Sequence, residues 1–122
     1  MAKILVVDDE EDTRDLVSFV LKRDGHEVSM VKNGQECLDR VAYDKPDLIL
    51  LDVMMPVMDG YTVFNRLAEG DDTRSIPVLV MTAKGEMKDV FQMSSNVVGY
   101  MEKPFDLNTL QMRVRQILAK PR

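Results

Sequence analysis

The sequence predicts an α/β domain built on a mainly parallel sheet with helices on both faces. Three observations carry this. Five short apolar runs alternate with segments of helical period along the 122 residues, the pattern of repeated strand–helix units. Several runs are continuously apolar, ILVV, LILL and VLVM among them, as expected of strands buried on both sides. The residues capable of chemistry gather just after these runs. A chain of 122 residues suits one domain, taken here as 1–122, with room for one core.

The first run, Lys3 to Val7, ends in five consecutive acids, Asp8 to Asp12. Leu16, Val17, Val20 and Leu21 follow at helical spacing up to about Arg23. Acids in a first helical turn suit the helix dipole, which accounts for Glu10 to Asp12 better than for Asp8 and Asp9. Asp24-Gly25 reads as a turn, and His26 beside it as a surface residue. Glu27 to Val31 alternates, as a half-exposed edge strand does. Asn33 with Glu36 resembles a capping box, opening a helix whose apolar face is Cys37, Leu38, Val41 and Ala42. Cys37 therefore reads as a small core hydrophobe.

Pro46 to Asp52 is the third strand, and Asp59-Gly60 leads into a helix with Val63, Phe64 and Leu67 inward. Glu69 to Ser75 is a charged loop. Ile76 to Met81 is the fourth strand, with Pro77 near its start, where a missing donor does least harm. Between Ala83 and Asn96, Met87, Val90 and Phe91 give a weak helical stripe, which Asn96 would close in a left-handed conformation. Val97 to Met101 is the fifth strand. Asp106 caps a last helix with Leu107, Leu110, Val114, Ile117 and Leu118 on one face.

Composition narrows the chemistry. Sixteen basic and 21 acidic side chains leave a net charge of -5, against non-specific nucleic-acid binding, which needs a basic face. No apolar run approaches the length of a membrane span, and none has the form of a signal peptide; a cytoplasmic location is expected, with no membrane partner. A single cysteine, Cys37, rules out an internal disulfide and a cysteine metal cage. A single histidine, His26, leaves no zinc cluster. Any catalysis or metal binding must rest on carboxylates, a hydroxyl and lysines.

In parallel α/β sheets ligands bind beyond the carboxyl ends of the strands. Strand one delivers Asp8 and Asp9 there, strand three Asp52, strand four Thr82 and strand five Lys103. Three neighbouring carboxylates cannot all stay ionised without a counter-charge. Oxygen ligands with open positions suit Mg²⁺. A cation, a lysine and a hydroxyl around one carboxylate make a site for phosphoryl transfer, in which the carboxylate itself can be the nucleophile. Asp52 is the central candidate.

With these residues in this order, the chain resembles the response-regulator receiver domains of two-component signalling. The likeness rests on ILVVDDE, DLILLDVMMPVMDG, VLVMTAK and YMEKPF and covers essentially the whole chain. It implies a doubly wound five-stranded parallel sheet of flavodoxin-like order 2-1-3-4-5. It implies that Asp52 accepts a phosphoryl group from a histidine kinase or a phosphotransfer protein. Asp9, Asp52 and the backbone carbonyl of Met54 would hold Mg²⁺ directly, and Asp8 through water. Thr82 would hydrogen-bond the phosphoryl group and move toward it, Lys103 would pair with it, and Tyr100 would be the aromatic switch. The Lys103–Pro104 bond would be cis. Phosphorylation would alter the surface of the helix predicted before Asn96, the fifth strand and the last helix, controlling a partner protein or self-association, with no output domain on this chain and no direct contact with nucleic acid.

The chain departs from the family before its fifth strand, where Asn96-Val97 stands in place of a frequent Gly-Ala pair and Gly99 precedes Tyr100. In receivers the positions of Met54 and Lys84, each two residues beyond a site residue, flank the path of the attacking water, and the likeness implies a long-lived phosphorylated state. Two other classes use related architecture. A Mg²⁺-dependent phosphohydrolase of the haloacid-dehalogenase type needs a second Asp two residues after the nucleophile, where Met54 stands. A flavodoxin-type flavin module needs a Ser/Thr/Gly-rich loop after strand one, where the five acids stand.

Overall fold

The computed structural model describes residues 2–53, 58, 60–83, 96–103 and 105–119. Within them lie β1 (Lys3–Val7), α1 (Glu11–Arg23), β2 (Glu27–Val31), α2 (Gly34–Tyr43), β3 (Leu48–Asp52), α3 (Gly60–Glu69), β4 (Val78–Ala83), β5 (Val97–Lys103) and α4 (Leu107–Ala119). The helix expected between Ala83 and Asn96 and the Lys103–Pro104 bond fall outside the described residues. All strand pairings are parallel, and the sheet order is β2-β1-β3-β4-β5.

β3 is central and every one of its residues is buried, as its unbroken LILL run requires. β2 lies at an edge and is half-exposed. Side chains on a strand alternate between faces, so the sheet divides the core. Leu5, Val7, Ile49, Leu51, Val78 and Val80 pack with Cys37 and Val41 of α2 and Val63, Phe64 and Leu67 of α3. Ile4, Val6, Leu48, Leu50, Leu79 and Met81 pack with Val17 and Leu21 of α1 and Leu110 and Val114 of α4. The expected single core is thus two half-cores separated by the sheet. Each buried Leu, Ile or Val contributes about 1.5–3 kcal/mol of transfer free energy.

Helix ends follow local chemistry. α1 stops at Gly25, whose φ of +92° suits glycine; its N–H donates to the Lys22 carbonyl at 2.9 Å, and the His26 N–H reaches Leu21 at 3.2 Å. Asn33 Oδ1 caps α2 by accepting from the Glu36 N–H at 2.9 Å. The reciprocal bond of a capping box is displaced by one residue, because Glu36 Oε1 accepts from the Lys32 N–H at 3.0 Å. Asp106 caps α4 through the Thr109 N–H at 3.3 Å.

Four expectations change. β3 starts at Leu48, not Pro46, and β4 runs from Val78 to Ala83, since Ile76 is spent on a turn bond to the Thr73 carbonyl. β5 continues to Lys103 because its register with β4 carries through Ala83↔Lys103. His26 is partly buried, with its Nδ1 accepting from the Ala2 N–H at 3.3 Å. Beyond these four, Asn96, expected to close a helix that lies outside the described residues, is buried and serves as an anchor: its Nδ2 donates to the Phe64 carbonyl at 3.1 Å, and its own carbonyl accepts from the Val78 N–H at 2.9 Å. The register shifts next to it, so that Val78 pairs with Val97 but Leu79 with Gly99.

Candidate functional site

Register brings the strand ends level. Val7 pairs with Leu51, Asp52 with Met81, and Thr82 with Glu102. The polar residues that follow or end these strands therefore meet at one edge of the sheet. Asp8 and Thr82 are fully buried and Asp52 nearly so, while Asp9 is exposed. One carboxylate oxygen from each of Asp8, Asp9 and Asp52 lies within 4.8 Å of the others.

Lys103 supplies the positive charge. Its Nζ lies 2.7 Å from Asp8 Oδ2, 3.2 Å from Glu10 Oε1 and 3.4 Å from Asp52 Oδ2. Burial is the largest single influence on this ammonium and acts against its charge. The Asp8 hydrogen bond, the charges of Asp52 and Asp8 and the Glu10 hydrogen bond together outweigh it, and Lys103 is pushed up to about 12. Asp8 is held on all sides: Oδ1 accepts from the Glu10 N–H at 2.9 Å, and its backbone carbonyl accepts from Arg14 Nη1 at 2.7 Å.

Alternation along the strands sorts the remaining residues. Asp8 and Asp52 continue the series Ile4-Val6 and Leu48-Leu50, on the α1/α4 side. Thr82 continues Val78-Val80 and stands on the opposite face. Tyr100 pairs with Val80 and shares that face, 36% exposed. The structure thus unites Asp8, Asp9, Asp52 and Lys103 and groups Thr82 with Tyr100. Met54 and Lys84 lie outside the described residues.

A family profile described as the response regulator receiver domain matches residues 4–115. The chain belongs to that family. Among curated relatives, this receiver is 39% identical over 121 residues to the DNA-binding dual master transcriptional regulator RpaA of Synechocystis, covering 98% of this chain and 50% of that protein. It is 40% identical over 119 residues to the alkaline phosphatase synthesis transcriptional regulatory protein PhoP of Bacillus subtilis, covering 97% of this chain and 49% of the relative. The receiver thus spans about half the length of these relatives. Among solved structures, the chemotaxis response regulator CheY4 of Vibrio cholerae superposes with a TM-score of 0.88 at 30% identity, over 96% of this chain and 98% of that one. The expectation of no nucleic-acid contact is limited accordingly: it concerns these 122 residues, and a relative twice as long is named as DNA-binding.

Two side chains at this receiver site were not among the expected site residues: Glu10, read as a helix-dipole acid, and Arg14. Glu10 occupies the N-cap of α1, yet its side chain makes no capping bond. That is a detectable signal, since Ser, Thr, Asp and Asn are the usual caps, and a break in a local rule often marks a functional position.

Proposed function

We propose that this receiver is a phosphoryl-accepting switch in which Asp52 is the acceptor. The observation that carries the reading is the ammonium of Lys103 from β5, within 3.4 Å of Asp52 from β3 and 2.7 Å of Asp8 from β1. A carboxylate of Asp52 attacks the phosphorus of a phosphohistidine, the P–N bond breaks, and the departing imidazole takes a proton from solvent. Lys103 meets the negative charge carried by the phosphoryl oxygens, where preorganised charge is most effective. Thr82, on the opposite face at the end of β4, donates its hydroxyl to a phosphoryl oxygen, and Tyr100 responds on that face.

The three convergent carboxylates suit a hard divalent cation, and Mg²⁺ fits their all-oxygen donor set. Asp9 and Asp52, with the Met54 carbonyl expected from the family, would hold it directly. Both oxygens of Asp8 already accept hydrogen bonds, which suits a role through water. When bound, the ion neutralises phosphoryl charge. The phosphate donor is a histidine kinase or phosphotransfer protein, and the readout is a partner protein or a second receiver. In a longer protein of the RpaA kind the readout would extend to a DNA-binding region.

Incubation with acetyl phosphate and Mg²⁺, followed by intact mass measurement, tests this reading. The expected result is a gain of one phosphoryl group that disappears in Asp52→Ala and when Mg²⁺ is chelated. Labelling that survives Asp52→Ala would overturn the assignment.

A further inference from the structure

We infer that Glu10 is a positioning residue for the phosphoryl reaction: it occupies one donor of Lys103 in the resting protein and must release it when a phosphoryl group arrives. The inference rests on the phosphoacceptor reading above.

A lysine ammonium has three N–H donors and no acceptor. In this structure Lys103 faces three carboxylates, Asp8 at 2.7 Å, Glu10 at 3.2 Å and Asp52 at 3.4 Å. Its donors are fully subscribed before any phosphoryl oxygen enters. One contact must yield. The Asp8 contact is the shortest, and the Asp8 side chain is completely buried. Asp52 is the group being modified. Glu10 is 63% exposed at its side chain, so water can replace Lys103 around its carboxylate at little cost.

Two further observations set Glu10 apart from the other acids. It is not among the three carboxylates that converge for a cation, so its partner at the site is the lysine. It also stands at the N-cap of α1 without making a side-chain cap, and its carboxylate is directed to a residue 93 positions away instead. Glu11 and Asp12 follow in the first turn of the helix, and both are exposed. They carry the same charge without this contact.

Glu10 therefore draws Lys103 away from Asp52 and holds back the charge that the phosphoryl group needs. Its removal should speed loading of Asp52 and slow loss of the phosphoryl group. The test compares wild type, Glu10→Gln and Glu11→Gln, each with acetyl phosphate and saturating Mg²⁺, at low and at high salt. Loading and decay are followed by intact mass. Glu10→Gln is expected to load faster and decay more slowly by about two- to fivefold, the range an exposed ion pair supports. Glu11→Gln should stay within roughly 1.5-fold of wild type, an effect that salt erases because it acts only through screened charge. If wild type takes up no phosphoryl group, the phosphoacceptor reading fails and this inference with it. If wild type loads but the two variants behave alike, or Glu10→Gln loads more slowly, only the role of Glu10 is overturned.

Discussion

Two titrating side chains in this receiver respond to pH in opposite senses. Lys103 is raised to about 12 in the folded protein. Its contribution to stability is complete below the ordinary lysine value near 10.5 and is lost as pH climbs through 12. His26 is lowered from its ordinary value, chiefly by burial, then by the charge of the chain's amino terminus and by Arg115, with Asp24 acting against them. The stability tied to neutral His26 is therefore present above about pH 6.5 and is lost as pH falls from there through the folded value. Urea melts at pH 7.5 and 5.5 should show a fall in midpoint for wild type that is smaller in His26→Gln. An equal fall in both would show that other groups govern the acid limb. Cys37 is pushed up to about 12 by burial, so the native protein should leave a thiol reagent unreacted until denaturant is added. Cys37 was legible from its place on a helical apolar face. His26 was not, because its hydrogen-bond partner, Ala2, lies 24 residues away and leaves no local pattern.

The elements carry their own compromises. A Ser or Asn at position 10 would give α1 the cap it lacks, and Glu10→Ser should raise stability by about 0.5–2 kcal/mol. The same variant loses the Lys103 contact, so a gain in melting temperature should accompany altered phosphorylation kinetics. Gly34, at the start of α2, faces α3 closely: a Cβ there would sit 2.5 Å from Val63 Cγ2 and 3.0 Å from Met58 Cβ. Gly34→Ala should cost about 1–3 kcal/mol, the usual range for overpacking, measured by denaturant unfolding. Gly99 in β5 is a contrast. Its nearest obstacle is Nη2 of Arg113, the far end of a flexible side chain that can swing out, so Gly99→Ala should be much milder. Element existence was legible from period and from Gly, Pro and Asn punctuation. Element limits were less so, since a parallel strand runs as far as its neighbour pairs with it: β5 reaches Lys103 only because β4 reaches Ala83.

For the molecule as a whole, alternation of apolar runs identified a parallel α/β sheet, and the strand ends singled out Asp8, Asp9, Asp52, Thr82 and Lys103 as candidates. Strand order came from family likeness, because a period tells which faces a strand buries and not which strand lies beside it. Mg²⁺ should act on the whole fold through linkage, stabilising by about 2.7 kcal/mol at one hundred times its dissociation constant. Thermal melts with and without Mg²⁺ should show that gain in wild type and not in Asp9→Asn; equal gains would remove Asp9 from the ligand set. The division of the core by the sheet has a different kind of consequence. Val41 and Val114 belong to half-cores on opposite sides, so truncating both to Ala should cost the sum of the single losses to within about 0.5 kcal/mol. Val114 and Leu21 share a side, and their double mutant should deviate. Such independence lets evolution rework the packing on one side while the other keeps its sequence. It also isolates the two sides from each other's disturbances. If Asp52 is the acceptor, its modification on the α1/α4 side can be felt on the Tyr100 side only by way of the strand ends, and Thr82 stands at that crossing.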